Sequence, residues 1–197
     1  MDAIRRGDRV ALPEHIEQID EYASRGWKRV FRGIAKLNRV NADMREAWLR
    51  IYVARGDHIR IKVEDDLLLI GALRILLPRY RGPAVTLYRG DSFWNRRRRT
   101  YGLSWTSERE VAESFANRDW RTCEGGSVLL QTRAPPSAII CAPHLLDKGY
   151  GEHEYLVDRR RLGRVTVLQR FSQLSIEEAH PVGEEKGRGA GFGTGLT

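Results

Sequence analysis

At 197 residues the chain has room for one domain with a proper core, or one domain with a small accessory piece, but not for two full domains. Its 41% hydrophobic and 30% charged residues match neither a disordered chain nor a membrane-embedded one. The formal net charge is +8, and only five of the 34 basic residues are Lys. Arginine's planar fork suits phosphate oxygens, so this balance points to a phosphate-bearing ligand or a nucleic acid, although codon usage alone also produces an arginine excess.

The opening MDAIRRGDRVALPEH lacks the apolar run of a signal peptide, which sets the expectation of a cytoplasmic protein. From about residue 14 to residue 80 the pattern is helical. HIEQIDEYASRGWKRVFRGIAKL and ADMREAWLRIYVARG carry apolar residues at three- and four-residue spacings, with Asn41 as N-cap and Gly56 as stop of the second helix. EDDLLLIGALRILL predicts a third helix ended by Pro78. Its apolar stretch, residues 67 to 77, is interrupted by Arg74 and is too short to span a bilayer, so it reads as a buried helix.

After Gly82-Pro83 the texture changes. Short β-type runs follow one another between turn residues: 84–90, 101–106, 126–133, 138–142, 152–158 and 164–171. One helix interrupts them, SEREVAESFAN (107–117), with Ser107 as cap, Glu110 as capping-box partner, and Val111, Ser114 and Phe115 facing inward. GEEKGRGAGFGTGLT at the end is Gly-rich and aperiodic, the composition of a flexible extension. Cys123 and Cys141 are too few for a metal knuckle or a disulfide scaffold and read as ordinary thiols. The layout is α+β: a helical region over 1–80, a mainly antiparallel β core over 81–178 and a tail over 179–197.

Three short motifs stand in order at strand ends: LYRG with Arg89 and Gly90, GLSWTS with Ser104, Trp105 and Thr106, and GEHEYLVD with Glu152 and Glu154. Together they resemble the mono-ADP-ribosyltransferase family of the Arg-Ser-Glu class, bacterial or phage type, over roughly residues 84–172. The tryptophan after Ser104 departs from the family's strict Ser-Thr-Ser spacing, which leaves the roles of Thr106 and Ser107 open.

The resemblance implies an ADP-ribosyltransferase-like β core with a small helical N-terminal subdomain, NAD as co-substrate and no metal. It implies that Glu154 stabilises the positive charge developing on the ribose, while Glu152 orients the acceptor and takes its proton. Ser104 would support Glu154 and the nicotinamide ribose. Arg89 would hold the pyrophosphate or adjacent ribose, and the backbone of Gly90 would approach the nicotinamide amide. An aromatic ring stacks on nicotinamide in such sites; Tyr101, Trp105 and Phe115 are the candidates.

Glu at the first position of Glu-x-Glu makes a protein arginine the first acceptor to expect, with RNA or DNA as an alternative substrate. A toxin or effector role, with an antitoxin or inhibitor as partner, also belongs to what the family implies; a membrane does not.

If 152–158 is extended, Glu152 and Glu154 share one side while His153 and Tyr155 take the other, so His153 partners neither glutamate and a metal set of the three fails. HExxH, CxxC, EF-hand, Walker and Rossmann spacings are all missing from the chain. The runs Arg96–Arg99 and Arg159–Arg161 would form a basic rim if they converge, and Trp94 or Trp120 could stack on a base, against the plainer readings of solvated turns and packing aromatics. His144 falls in the loop that the resemblance links to target recognition. A basic, non-catalytic nucleic-acid-binding protein is the competing reading from a different class.

Overall fold

The computed structural model describes residues 26–118, 121–145 and 153–174, together with positions 4, 6 and 19. The predicted Gly-rich tail, most of the first helical stretch before Gly26, Trp120 and Glu152 lie outside the described residues.

From Gly26 onward the helical region contains α1 (Gly26–Ile34), α2 (Ala42–Val63) and α3 (Asp66–Leu76). The starts of the second and third are fixed by short polar side chains that satisfy orphan backbone donors. Asn41 Oδ1 accepts from Met44 N at 2.8 Å, and Asp65 Oδ1 accepts from Leu68 N at 3.0 Å. Gly56 does not stop α2. The backbone kinks at Arg55 (φ −135°, ψ 16°) and the helix resumes to Val63, because Ile59 and Val63 still have a core to enter. The true end is at Glu64, whose left-handed backbone (φ 52°) turns the chain directly into α3.

Among the described residues six strands make one antiparallel sheet. They are β1 (Val85–Ser92), β2 (Ser104–Thr106), β3 (Ser127–Ala134), β4 (Ile139–Cys141), β5 (Glu154–Val157) and β6 (Val165–Phe171), in the order β4-β5-β2-β1-β3-β6. The fold is thus α+β, with each predicted β run supplying one strand. Extended structure on β5 begins only at Glu154, however. His153 has φ 46°, so the strict alternation expected from residue 152 onward fails at the histidine.

Register assigns the faces. Tyr88 opposes Thr106, Thr106 opposes Glu154, and Ser104 opposes Leu156, so these five share one face with Gly90. Trp105 opposes Tyr155 and looks the other way, with Leu87.

Each face has its own apolar cluster. The first contains Leu156, Leu103, Ile140 and Cys141 packed with Phe31, Trp48, Leu69 and Leu73 of the helices, so the helical region shares its core with the β5–β4 side of the sheet. A bulge sets Ile139 and Cys141 against consecutive residues of β5, which lets Ile140 and Cys141 both join this cluster while Ile139 joins the opposite one. The second cluster holds Trp105, Tyr155, Leu87, Leu130 and Val157.

Two further helices follow the strands' ends. A short one, α4 (Phe93–Arg98), takes up most of the arginine run that the sequence suggests as a turn. Ser92 Oγ caps it by accepting from Asn95 N at 3.1 Å, and Arg99 leaves it in the left-handed region (φ 55°).

The other, α5 (Arg109–Asn117), starts one residue later than a Ser107 cap would place it. Glu108 holds the N-cap position without a side-chain cap, while Thr106 Oγ1 accepts from Glu108 N at 3.0 Å. Its buried residues are Ala112 and Ala116 rather than Val111, Ser114 and Phe115. The reason is Gly90: a Cβ there would stand 2.3 Å from Ala116 N and 2.4 Å from Ala112 O, so helix and strand backbones lie in direct contact and only small side chains fit between them.

Gly90→Ala should therefore lower stability by about 1–3 kcal/mol, since the atoms in the way are backbone and cannot swing aside. Denaturant titration against the wild type reads this directly, and an unchanged midpoint would contradict the contact.

Candidate active site

Helices α1–α3 cover the β5–β4 end of one sheet face and α5 covers β1 and β3 on the same face. The strip between them stays open as a cleft of about 800 Å³. Tyr88, Gly90, Ser104, Thr106 and Glu154 form its floor, as the register requires. Tyr52, Arg60 and Ile61 of α2, with Asp66 of α3, make one wall; Val111 and Phe115 of α5 make the other. The size falls within the range of small-molecule and cofactor sites.

Ion pairs hold the α2–α3 wall in place. Arg60 grips Asp66 with two hydrogen bonds, Nε to Oδ1 and Nη2 to Oδ2, both 2.9 Å, and Arg159 after β5 donates to the same carboxylate from the sheet side. Burial alone would raise Asp66, but the hydrogen bonds from Arg60 and Arg159 outweigh it and hold the carboxyl below the ordinary range. Further along α3, Arg74 donates to Asp158 Oδ2 at 3.3 Å and to the Ser137 carbonyl at 3.0 Å. Arg159–Arg161 thus serve partly as ties: Arg159 takes Asp66, and Arg160 takes Asp158 with two bonds of 2.9 Å.

Arg89 is engaged in the same manner. Strand alternation sends it to the same side as Asp91, and its Nε donates to Asp91 Oδ2 at 2.6 Å while Nη1 donates to the Ser104 carbonyl at 2.6 Å. The side chain is only 11% exposed. It borders the cleft as an internal strut between β1 and β2, with two of its donors already used, rather than as the open phosphate grip expected of it.

Asp91, which the motifs did not single out, is wholly buried and also accepts from Ser92 N (2.8 Å), Asn95 Nδ2 (2.8 Å) and Gly102 N (3.3 Å). Its Arg-x-Asp spacing on a strand was the available signal, since residues two apart share a side.

The cleft brings Glu154, Ser104, Thr106, Arg89, Gly90 and Phe115 together from four separated segments. Trp105 contributes only at its edge. Its ring is 2% exposed in the opposite core, with Nε1 donating to the Gly102 carbonyl at 3.2 Å and Tyr101 edge-on at 6.0 Å. Neither of those rings can stack on a ligand in the cleft, whereas Phe115, 36% exposed on the α5 wall, can. Gly90's missing Cβ makes room for the α5 backbone, and the residue also lines the cleft floor. Glu152 lies outside the described residues, so the carboxylate pair has no geometry to report.

Around Glu154 the electrostatics are shaped by burial. Tyr52, on the cleft wall, has its hydroxyl pushed well above the ordinary tyrosine range, first by burial and then by the Glu154 carboxylate, so it remains a proton donor. Burial, with a smaller contribution from Glu154, pushes the Cys141 thiol up to about 12, and burial raises Cys123 as well; both are poor nucleophiles.

His144 Nδ1 donates to the Glu154 carbonyl at 3.0 Å, and its ring lies 4.8 Å from Tyr155 and 5.2 Å from His153. The lone loop histidine therefore anchors the strand that carries Glu154. His153 turns away, with Nδ1 3.9 Å from Glu108 Oε1 at the start of α5. Among the described residues no group of three or more His, Cys, Asp or Glu side chains is placed to hold a metal ion, and no helix is long and apolar enough to cross a membrane.

Comparison with known proteins gave no match to any family model, curated protein or solved structure.

Asp66→Asn should cost about 2 kcal/mol at neutral pH, because two partly buried guanidinium groups lose their anion. Asp66 is depressed in the folded state, so its contribution is complete above the unfolded carboxylate pKa near 4 and is lost as pH falls through the folded value. Melting curves of wild type and variant should converge in acid; a gap that stays constant from pH 7 to pH 3 would refute the assignment.

Proposed function

We propose that the chain is an NAD-dependent mono-ADP-ribosyltransferase with an ADP-ribosyltransferase-like core, cleaving the bond between ribose and nicotinamide and passing ADP-ribose to a macromolecular acceptor. One observation supports the reading above all. Arg89, Ser104 and Glu154, one from each of the ordered motifs, all line one 800 Å³ cleft, with a carboxylate at its floor and an exposed aromatic ring on its wall.

In this reading Phe115 offers the face on which nicotinamide stacks. Glu154 stabilises the ribose carbon as nicotinamide leaves with the bonding electron pair, a charge problem shared with glycoside hydrolysis. The protonated Tyr52 hydroxyl supplies a hydrogen-bond donor beside that carboxylate. Arg89 acts one step back, fixing the strand that presents Ser104. The acceptor's nucleophilic atom then bonds to the ribose carbon and gives up its proton, the task assigned to Glu152 by resemblance.

A protein arginine is the first acceptor in this reading, and RNA or DNA is the second. A cytoplasmic setting and an effector or toxin role with an inhibitor partner fit the same chemistry. A non-catalytic nucleic-acid-binding role is favoured by one observation only, the basic surface on α4.

Incubated with labelled NAD and a lysate, the wild type should release nicotinamide and label a macromolecule. Glu154→Gln should reduce both by roughly 10²–10³-fold, the usual cost of removing a group that stabilises developing charge. Wild-type transfer by the variant would sink the reading. Label on protein or on nucleic acid decides the acceptor class.

Phe115→Ala should keep the fold, since the ring is not core, but should shrink the rise in melting temperature that NAD produces on binding the native state. An undiminished rise would remove Phe115 from the site.

A further inference from the structure

The arginine run is not a solvated turn. On α4 and just after it, Arg97, Arg98 and Arg99 are exposed together with Trp94, which is 45% exposed. Arg98 places its guanidinium 4.1 Å from the centroid of the Trp94 ring, and Arg170 on the exposed edge strand β6 lies 5.2 Å from the ring of Phe93 on the same helix. Among the described residues no carboxylate forms an ion pair with Arg96, Arg97, Arg98, Arg99 or Arg170.

Elsewhere the arginines that shape the fold are matched to acids: Arg60 and Arg159 to Asp66, Arg74 and Arg160 to Asp158, and Arg89 to Asp91. Cations concentrated at one place without anions repel one another, which is a standing cost in the free protein. A large aromatic left half-exposed among them adds apolar surface to water.

Both costs are relieved by one kind of ligand, a chain of phosphates carrying flat bases. Phosphates neutralise the guanidinium groups, and a base stacks on the indole or on the guanidinium already lying over it. We infer that the Trp94–Arg98 face of α4, extended by Arg97, Arg99 and Arg170, is a binding platform for single-stranded nucleic acid. A duplex hides its base faces, so an unpaired strand suits an aromatic platform better. An anionic membrane fits less well, because interfacial helices insert several apolar side chains and α4 exposes only the one tryptophan.

The platform is independent of the cleft chemistry. It begins three residues after Gly90 along the chain, with Phe93 packed against the apolar cluster of the opposite sheet face, and binding there requires no NAD.

The test is fluorescence anisotropy of the full chain with a labelled single-stranded RNA of about a dozen nucleotides, and with the same sequence as a duplex, without NAD. Binding should favour the single strand and weaken linearly in log–log form with salt, by about 0.7 in slope for each phosphate neutralised. Trp94→Ala should weaken it about tenfold, while Trp94→Phe keeps most of it. Arg97→Ala combined with Arg170→Ala should flatten the salt slope by about 1.4. All the substituted side chains are exposed, so unchanged melting temperatures certify folding. Absence of binding, equal binding by Trp94→Ala, preference for the duplex, or sedimentation with phosphatidylserine vesicles in place of RNA binding would each overturn the proposal.

Discussion

A single buried carboxylate organises both the cleft floor and the basic face of α4. Asp91 has no exposed area, and placing an anion there is tolerable only because Arg89, Ser92, Asn95 and Gly102 all donate to it. Those four partners belong to β1, its end, α4 and the approach to β2. Fixing Arg89 in turn fixes Ser104, whose carbonyl accepts the second guanidinium bond. The packing is so close that a Cβ on Gly102 would stand 2.2 Å from Arg89 Nη2. Fixing Asn95 pins the first turn of α4, from which Trp94 and Arg98 project. The cleft floor and the basic platform therefore share one electrostatic foundation.

The cleft itself is a consequence of two incompatible ways of covering one sheet face. Over β1, small residues allow α5 to sit directly on the strand backbone at Gly90. Over β4 and β5, large side chains such as Leu156 and Ile140 pack between the strands and α1–α3. Two layers of such different character do not merge, and the strip of polar residues between them, Ser104, Thr106 and Glu154, gives neither an apolar surface to claim. The Asp66 and Asp158 ion pairs then tie the outer layer to the turn after β5, so the open strip keeps a defined width.

What the sequence made legible was whatever depends on near neighbours. All six strands, the Asn41 cap and the stop at Pro78 rest on local periodicity or local hydrogen bonding. Gly56 misled because a glycine's intrinsic weakness in a helix was outweighed by tertiary burial of Ile59 and Val63 beyond it. Ser107 misled because Thr106, one residue earlier and held in β2, supplied the oxygen for the turn into α5.

Among the aromatic candidates, the alternation of Trp105 with Ser104 along β2 makes readable that its ring enters the opposite core while the residue only borders the cleft. Tyr52, Arg60 and Asp66 could not be found as cleft residues at all. Their role exists only after α2 and α3 fold over strands that come much later in the chain.

The engagement of Arg89 changes how the motif set should be understood. A guanidinium with two donors committed inside the protein, and little surface left, gains less from a ligand phosphate than a free one would, because new bonds there come at the expense of existing ones. Its value lies in preorganisation: Ser104 and the strand beside Glu154 are already in place before a ligand arrives, and no ordering cost is deferred to binding. A cluster of arginines that no carboxylate pairs with among the described residues lies instead on and just after α4, outside the cleft. Positioning falls to a buried strut, and phosphate attraction, which the sequence assigns to the same arginine, falls to the exposed α4 surface only on the proposed reading.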